Sequence, residues 1–302
     1  MSFKSVWKAH FALLLVNILY GASHILAKGV MPNYLSPSVF ILLRVLGAVV
    51  LFWSILYFSK IKKIDKKDLL RFIFCGFFGV ALNQLCFFHG LNLSSSINSG
   101  IIMTMNPIVV VLLSFLFLKE KLSIYRVAGV LLGAAGACLL TLDGFSVNSS
   151  SAFGDLLLLV NCTSYAFYLV LAKPLMSKYE PLTVITYVFS FGMIFVLLYP
   201  STLVELSNTQ FNHIPFDAWL KIIYIIVGVT FLTYLLTLYG LKFLSASTSS
   251  SYIYTQPIMV IIFAYLFAYI GFSDDYTDSI TIQKMFYMLL IFIGVYLTGK
   301  EG

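Results

Sequence analysis

The chain has 302 residues, 60% of them hydrophobic and only 10% charged, with a mean hydropathy of +0.97. A soluble domain carries about 25% charged and 45–50% apolar residues, so the composition excludes an ordinary soluble globule, a disordered chain, a collagen-like repeat and a disulfide scaffold. The net charge of +7 does not point to nucleic acid, because the basic residues gather between apolar runs: Lys4 and Lys8, Lys60 to Arg71, and Lys119 to Arg126. There they serve as topology signals, and they are equally compatible with contact to lipid headgroups.

A helix that crosses a bilayer needs about 20 apolar residues. In chain order, such runs occupy 10–31, 37–58, 69–91, 96–118, 124–142, 153–173, 182–199, 219–241, 248–272 and 282–298. They are continuous, which favours helices over the alternating strands of a barrel. The first run follows Lys4 and Lys8 as a signal peptide would, but it is too long and others follow, so it is expected to stay uncleaved. The connections 32–36, 92–95, 143–152, 200–217 and 273–281 carry little or no positive charge. The alternate connections carry the Lys60–Arg71 cluster, Lys119/Lys121/Arg126, Lys173/Lys178 and Lys242. This bias predicts both termini in the cytoplasm. Cys75, Cys86, Cys138 and Cys162 fall inside apolar runs without CxxC spacing and read as small buried hydrophobes. No metal-type cluster and no GxxxxGK[ST] motif occurs, so neither a cofactor nor ATP hydrolysis is expected.

The sequence repeats itself. Gly90–Phe117 aligns without gaps to Gly240–Phe267, matching Gly90/Gly240, Ser95/Ser245, Ser99/Ser249, Pro107/Pro257 and Phe117/Phe267. Asn106 pairs with Gln256. A second match sets Tyr20, Ala27-Lys28 and Met31 against Tyr165, Ala172-Lys173 and Met176. The expected fold is an all-α integral membrane protein of ten transmembrane helices, built from two five-helix repeats at 1–142 and 143–302. With an odd number of spans per repeat, the second must be inverted relative to the first. Inverted repeats are common in secondary transporters, where two near-equivalent halves exchange inward-open and outward-open shapes.

Several segments carry a family resemblance: Tyr20-Gly21-Ala22-Ser23-His24 with Ala27-Lys28, Leu43-Arg44, and Asn106-Pro107 through Lys119-Glu120-Lys121-Leu122 with Gly129, Gly133 and Gly136. At these residues the chain resembles the drug/metabolite transporter superfamily, specifically its EamA-like exporters. The second repeat departs from the pattern, with no counterpart of Arg44 and an acidic insertion at Asp274, Asp275 and Asp278. The resemblance implies ten helices, a central cavity, alternating access and a bacterial inner membrane. The family's cargoes include amino acids, sugars, nucleotide sugars and drugs.

Polar residues deep in a bilayer need a partner, a cavity or a role. Near the span midpoints lie Asn17, Tyr20 and His24; Asn83 and Gln84; Asn106; Asn161, Ser164 and Tyr168; Tyr234; and Tyr254 and Gln256. They come from spans one, three and four and from their repeat equivalents six, eight and nine, the arrangement expected of a cavity on a pseudo-two-fold axis. These twelve are the candidate substrate-binding residues; the alternative for each is interhelical hydrogen bonding. Pro107 and Pro257 free the carbonyls of Met103 and Ile253, which could face a substrate or mark simple kinks. Arg44 is a structural clamp or an anion contact. Lys28 and Lys173 are interface anchors or symmetric gate residues. Gly129, Gly133 and Gly136 suit close helix packing, within one chain or in a homodimer. No Asp or Glu lies at any midpoint, so His24 is the titratable group left for proton coupling, with His89 second. The leading function is export of small metabolites, amino acids or related compounds first. A sugar, nucleotide-sugar or drug carrier is the alternative, and an integral-membrane enzyme the reading from another class. The expected partners are a small-molecule substrate and the bilayer.

Overall fold

The computed structural model describes residues 3–58, 64–93, 102–103, 105–144, 152–270 and 282–299. Among them there is no strand. Helices satisfy their backbone internally, which is what a long apolar chain in lipid requires. The longer helices among the described residues are α1 Phe3–Lys28, α2 Pro37–Tyr57, α3 Lys66–Leu93, α4 Met105–Leu118, α5 Ile124–Gly144, α6 Ala152–Leu175, α7 Pro181–Leu198, α8 Phe216–Phe243, α9 Gln256–Tyr269 and α10 Ile282–Gly299. Six of them contain segments long and apolar enough to cross a bilayer: Ser5–Ser23, Pro37–Tyr57, Lys66–Leu93, Ala152–Leu175, Pro181–Leu198 and Phe216–Phe243. Met105–Leu118, Ile124–Gly136 and Met285–Thr298 are apolar but shorter.

Helix starts follow local chemistry. The Ser36 side chain accepts from Val39 N–H at 3.4 Å, with Pro37 at the first helical position. Pro181 opens α7 in the same way. Three features depart from the expected runs. The first helix begins at Phe3, well before His10, because apolar Phe3, Val6 and Trp7 extend its pattern through the two lysines. The ninth run is broken into a short helix Ala246–Ser251, a 3₁₀ turn Tyr252–Thr255 and then α9. Pro257 is the reason: its ring and missing N–H oppose a regular α turn just before it. The connection 200–217 holds a helix, Pro200–Asn208, and a 3₁₀ turn, Phe211–His213, where the sequence suggests only a loop. Most of the expected start of the fourth span (96–101 and 104) lies outside the described residues.

Both α3 and α8 contain a π-helical stretch, Phe77–Ala81 and Ile225–Leu232. In α3, side chains from neighbouring helices take up carbonyls of that stretch. Ser164 donates to Phe78 O at 2.6 Å and Tyr234 to Gly79 O at 3.2 Å.

The helices pair in a regular scheme. α3 packs on α6 as α8 packs on α1, and α4 lies on α6 as α9 lies on α1. α3 meets α7 as α2 meets α8, and α2–α7 and α5–α10 complete the set. The tightest of these crossings is α5–α10. A Cβ on Gly294 would sit 2.5 Å from Gly133 N and 2.7 Å from Gly129 O, so the glycine stripe of α5 is used inside the chain. Buried aromatic residues fill the middle: Phe52 packs on Phe189 and Phe231 with ring centroids 5.2 and 4.8 Å apart. Large apolar side chains such as Leu46, Val50, Leu112 and Phe115 face outward.

One end of the bundle is stitched together by the basic connections. Lys178 donates to both oxygens of Asp68 at 3.0 and 2.9 Å, and this pairing raises the ammonium above the ordinary lysine range. Tyr179 O–H donates to Asp68 at 2.9 Å, and Lys242 pairs with Glu180 at 2.7 Å. At the opposite end, Ser38 lies 3.3 Å from His89 Nε2 and from Ser201 Oγ.

Candidate functional site

A cavity of about 140 Å³ lies between the two halves of the chain. It draws on α1, α3 and α4 from the first half and on α6, α8 and the broken ninth helix from the second, with Arg44 of α2 added. Asn17, Tyr20, Arg44, Asn83, Gln84, Asn106, Asn161, Tyr234 and Gln256 all line it. Both members of three repeat-related pairs line it: Tyr20 and Tyr165, Met103 and Ile253, and Asn106 and Gln256. The two residues whose carbonyls the prolines free are therefore both in the lining.

The polar residues fall into two groups. Some are spent on holding helices together. Asn161 Nδ2 donates to Asn83 O at 2.8 Å, and Asn83 Nδ2 returns a bond to Asn161 O at 3.5 Å, clamping α3 to α6. Tyr234 O–H reaches the Asn83 side chain at 3.5 Å. Others keep atoms in reserve. Asn17 Nδ2 donates to Leu13 O at 2.7 Å and Asn106 Nδ2 to Cys162 O at 3.5 Å, yet both Oδ1 atoms are buried without a partner. Neither amide atom of Gln84 and not the Ser249 hydroxyl has a partner in hydrogen-bonding geometry. Buried polar groups are normally satisfied, so several unsatisfied ones on residues that line one space mark it as the candidate site.

Arg44 is 5% exposed. Its Nε donates to Thr230 Oγ1 at 3.0 Å, and its guanidinium carbon lies 4.7 Å from the Phe88 ring centroid and 5.6 Å from that of Phe40. No acidic side chain stands among the described residues that line the cavity.

Three sequence candidates do not line this cavity. Tyr168 is fully buried against Gly79 and the Tyr234 ring, Tyr254 packs on Gly133, and Ser164 is engaged with Phe78 O at the edge of a separate apolar crevice. Position along a helix does not fix which face of it a residue occupies. The side chains of His24, Lys28 and Pro257 lie outside the described residues. Pro107 is buried at the start of α4. The lining also includes Thr237 and Ser249, which lie off the span midpoints, and Phe87 and Phe88, which read as ordinary apolar residues. The Ser99/Ser249 match in the repeat was the one signal available for Ser249.

Below the cavity, at the end that carries the basic connections, two charged residues hold the link between α8 and the short helix Ala246–Ser251. Lys173 Nζ donates to Leu241 O at 2.6 Å and to Leu244 O. Glu120 accepts from Ala246 N–H at 3.0 Å and Ser247 O–H at 2.7 Å, and pairs with Arg126 at 3.3 Å. A positive φ of 55° at Lys119 ends α4 in a left-handed residue and turns Glu120 inward.

Comparison with known proteins adds to this geometry. The YyaM protein of Bacillus subtilis, named as an uncharacterized transporter, is 29% identical over 265 residues, 85% of each chain. A protein of Archaeoglobus fulgidus with the same description is 24% identical and covers 89% of this chain and 91% of its own. A WAT1-related protein of Arabidopsis thaliana is 24% identical over 89% of this chain and 80% of its own. A crystal structure superposes with a TM-score of 0.72 over 98% of this chain and 96% of that one, at 17% identity, a likeness of fold. The profile of the EamA-like transporter family matches residues 7–142 and again residues 152–300, and the chain belongs to that family of membrane transporters.

Proposed function

We propose that the protein is a secondary transporter that exports small metabolites, amino acids and related compounds first, through the central cavity by alternating access. The observation that carries this reading is that one polar cavity is built by the same three helices of each half. The helix pairing supports an inverted duplication behind it, because each of the pairings described above has a counterpart when the halves are exchanged; the two matches to the family profile support it as well. The cavity reaches Ala27 and Leu91 toward the uncharged connections, while Lys173 and Glu120 close the basic end. In this reading both termini are cytoplasmic, the membrane is a bacterial inner membrane, and the described shape is closed toward the cytoplasm. One cation among the described residues of the lining is few for a nucleotide cargo, which favours smaller solutes over nucleotide sugars.

The test is reconstitution into liposomes with labelled amino acids, sugars and nucleotides, with and without a pH gradient. We expect saturable flux of amino acids or close relatives; no flux of any class would overturn the transporter reading. The lining offers no carboxylate for proton transfer, so gradient-driven accumulation would run through His24. Accumulation that survives in His24→Gln removes that route, and flux that ignores the gradient identifies a facilitator.

A further inference from the structure

We propose that Arg44 anchors a carboxylate on the transported solute, and that the amide oxygens around it receive an adjacent N–H or O–H of the same solute. This rests on the transporter reading and narrows its substrate class to small amino or hydroxy acids held by their acid group. The guanidinium is buried, and among the described residues no Asp or Glu pairs with it. A buried cation without a counter-charge is costly unless something neutralises it. One neutral hydroxyl and two aromatic faces orient a guanidinium but do not neutralise it. Arginine has five N–H donors, and only Nε is committed to Thr230. The terminal NH₂ groups remain for the two-point geometry that matches a carboxylate.

The hold on Nε is itself anchored. Thr230 Oγ1 accepts from Arg44 and donates to Ile225 O at 2.8 Å, inside the π-helical stretch of α8. The Phe88 and Phe40 rings, edge to face with each other, lie against one side of the guanidinium, and together with Thr230 they order the side chain before a solute arrives, which lowers the ordering cost of binding. The second half of the recognition comes from oxygen atoms. Asn17 and Asn106 line the same cavity, and the Oδ1 atom of each is buried without a donor. They can accept from an α-amino or α-hydroxyl group beside the carboxylate. They carry no charge, so the net negative site of the solute is what the cavity compensates. A cavity of about 140 Å³ suits solutes of this size.

The experiment compares acid and amide of one skeleton: L-valine against L-valinamide, and L-lactate against lactamide. Two readouts are taken on the full chain, the thermal midpoint in detergent and counterflow in liposomes. We expect the acids to stabilise the protein and to be carried at least about tenfold better than the amides. Arg44→Gln should reduce the acids to the level of the amides. Arg44→Lys should keep part of the preference, because the charge remains without the fork. Thr230→Val should lower both the midpoint and the acid-over-amide ratio, because Nε loses the acceptor that orients the guanidinium. If neither Arg44 variant folds, the acid-to-amide comparison in the wild type decides alone. Equal handling of acid and amide, or an acid preference that persists in Arg44→Gln, overturns the anchor and leaves the transporter reading standing. Acid-specific stabilisation without flux of any solute upholds the anchor and overturns the transporter reading.

Discussion

Tyr168 shows what a single residue's neighbours decide. By its depth in the sixth span it was a candidate for substrate contact, yet its ring fills the space over Gly79 and its hydroxyl is buried without a partner. An unsatisfied buried hydroxyl costs about 1–3 kcal/mol. Tyr168→Phe should therefore leave flux unchanged and raise the thermal midpoint or leave it level. A loss of flux with an unchanged midpoint would return Tyr168 to the binding surface. Gly79→Ala has the opposite sign, because a new Cβ would collide with the Tyr168 ring. Overpacking of this kind costs about 1–3 kcal/mol, and the midpoint should fall. Asn17 and Asn106, chosen from the sequence by the same depth rule, do line the cavity. The difference is azimuth around the helix axis, which no count along the chain supplies.

Among elements, the turn after α4 meets the link after α8. Glu120 supplies an acceptor at the N-terminus of the short helix Ala246–Ser251, where backbone N–H groups lack partners. Lys173 supplies donors to carbonyls at the C-terminus of α8, the complementary deficit. If these contacts close the basic end, Glu120→Ala with Lys173→Ala should expose the cavity from that side. A cysteine introduced at Ser249 should then react severalfold faster with a charged thiol reagent applied at the cytoplasmic face. No change in reactivity would mean that the apolar packing, not this pair, holds the end shut. The sequence exposed Lys173 through its Ala-Lys repeat, and Glu120 through the Lys-Glu-Lys-Leu segment. It did not expose that they meet the same link, because their carbonyl and N–H partners carry no sequence signal.

For the whole molecule, the charge alternation and the stitched end agree. Lys178 with Asp68, Glu180 with Lys242 and Glu120 with Ala246 bring the basic connections to one pole, while Ser38, His89 and Ser201 meet at the other. We expect that pole to face the cytoplasm. Single cysteines at Ser149 and Lys63, both outside the described residues, test the orientation: the first should label from outside and the second from inside. Labelling of Ser149→Cys only from the cytoplasmic side would refute it.

Hydropathy and charge along the chain were enough to read a helical membrane protein and, for most of the spans, the position of the helix. Both are properties of each residue and add along the chain. The repeat extended that reading to the correspondence between spans, since duplicated segments keep their order. Tertiary structure alone decided the rest. It set Arg44 on Thr230, 186 positions away, turned Tyr168 and Tyr254 from the cavity, placed the π-helical stretches in α3 and α8, and closed α5 on α10. The physical reason is that these outcomes depend on the rotation of each helix about its own axis. That rotation is fixed by packing between helices, where a glycine on one admits an aromatic ring from another, and not by the local pattern of either sequence.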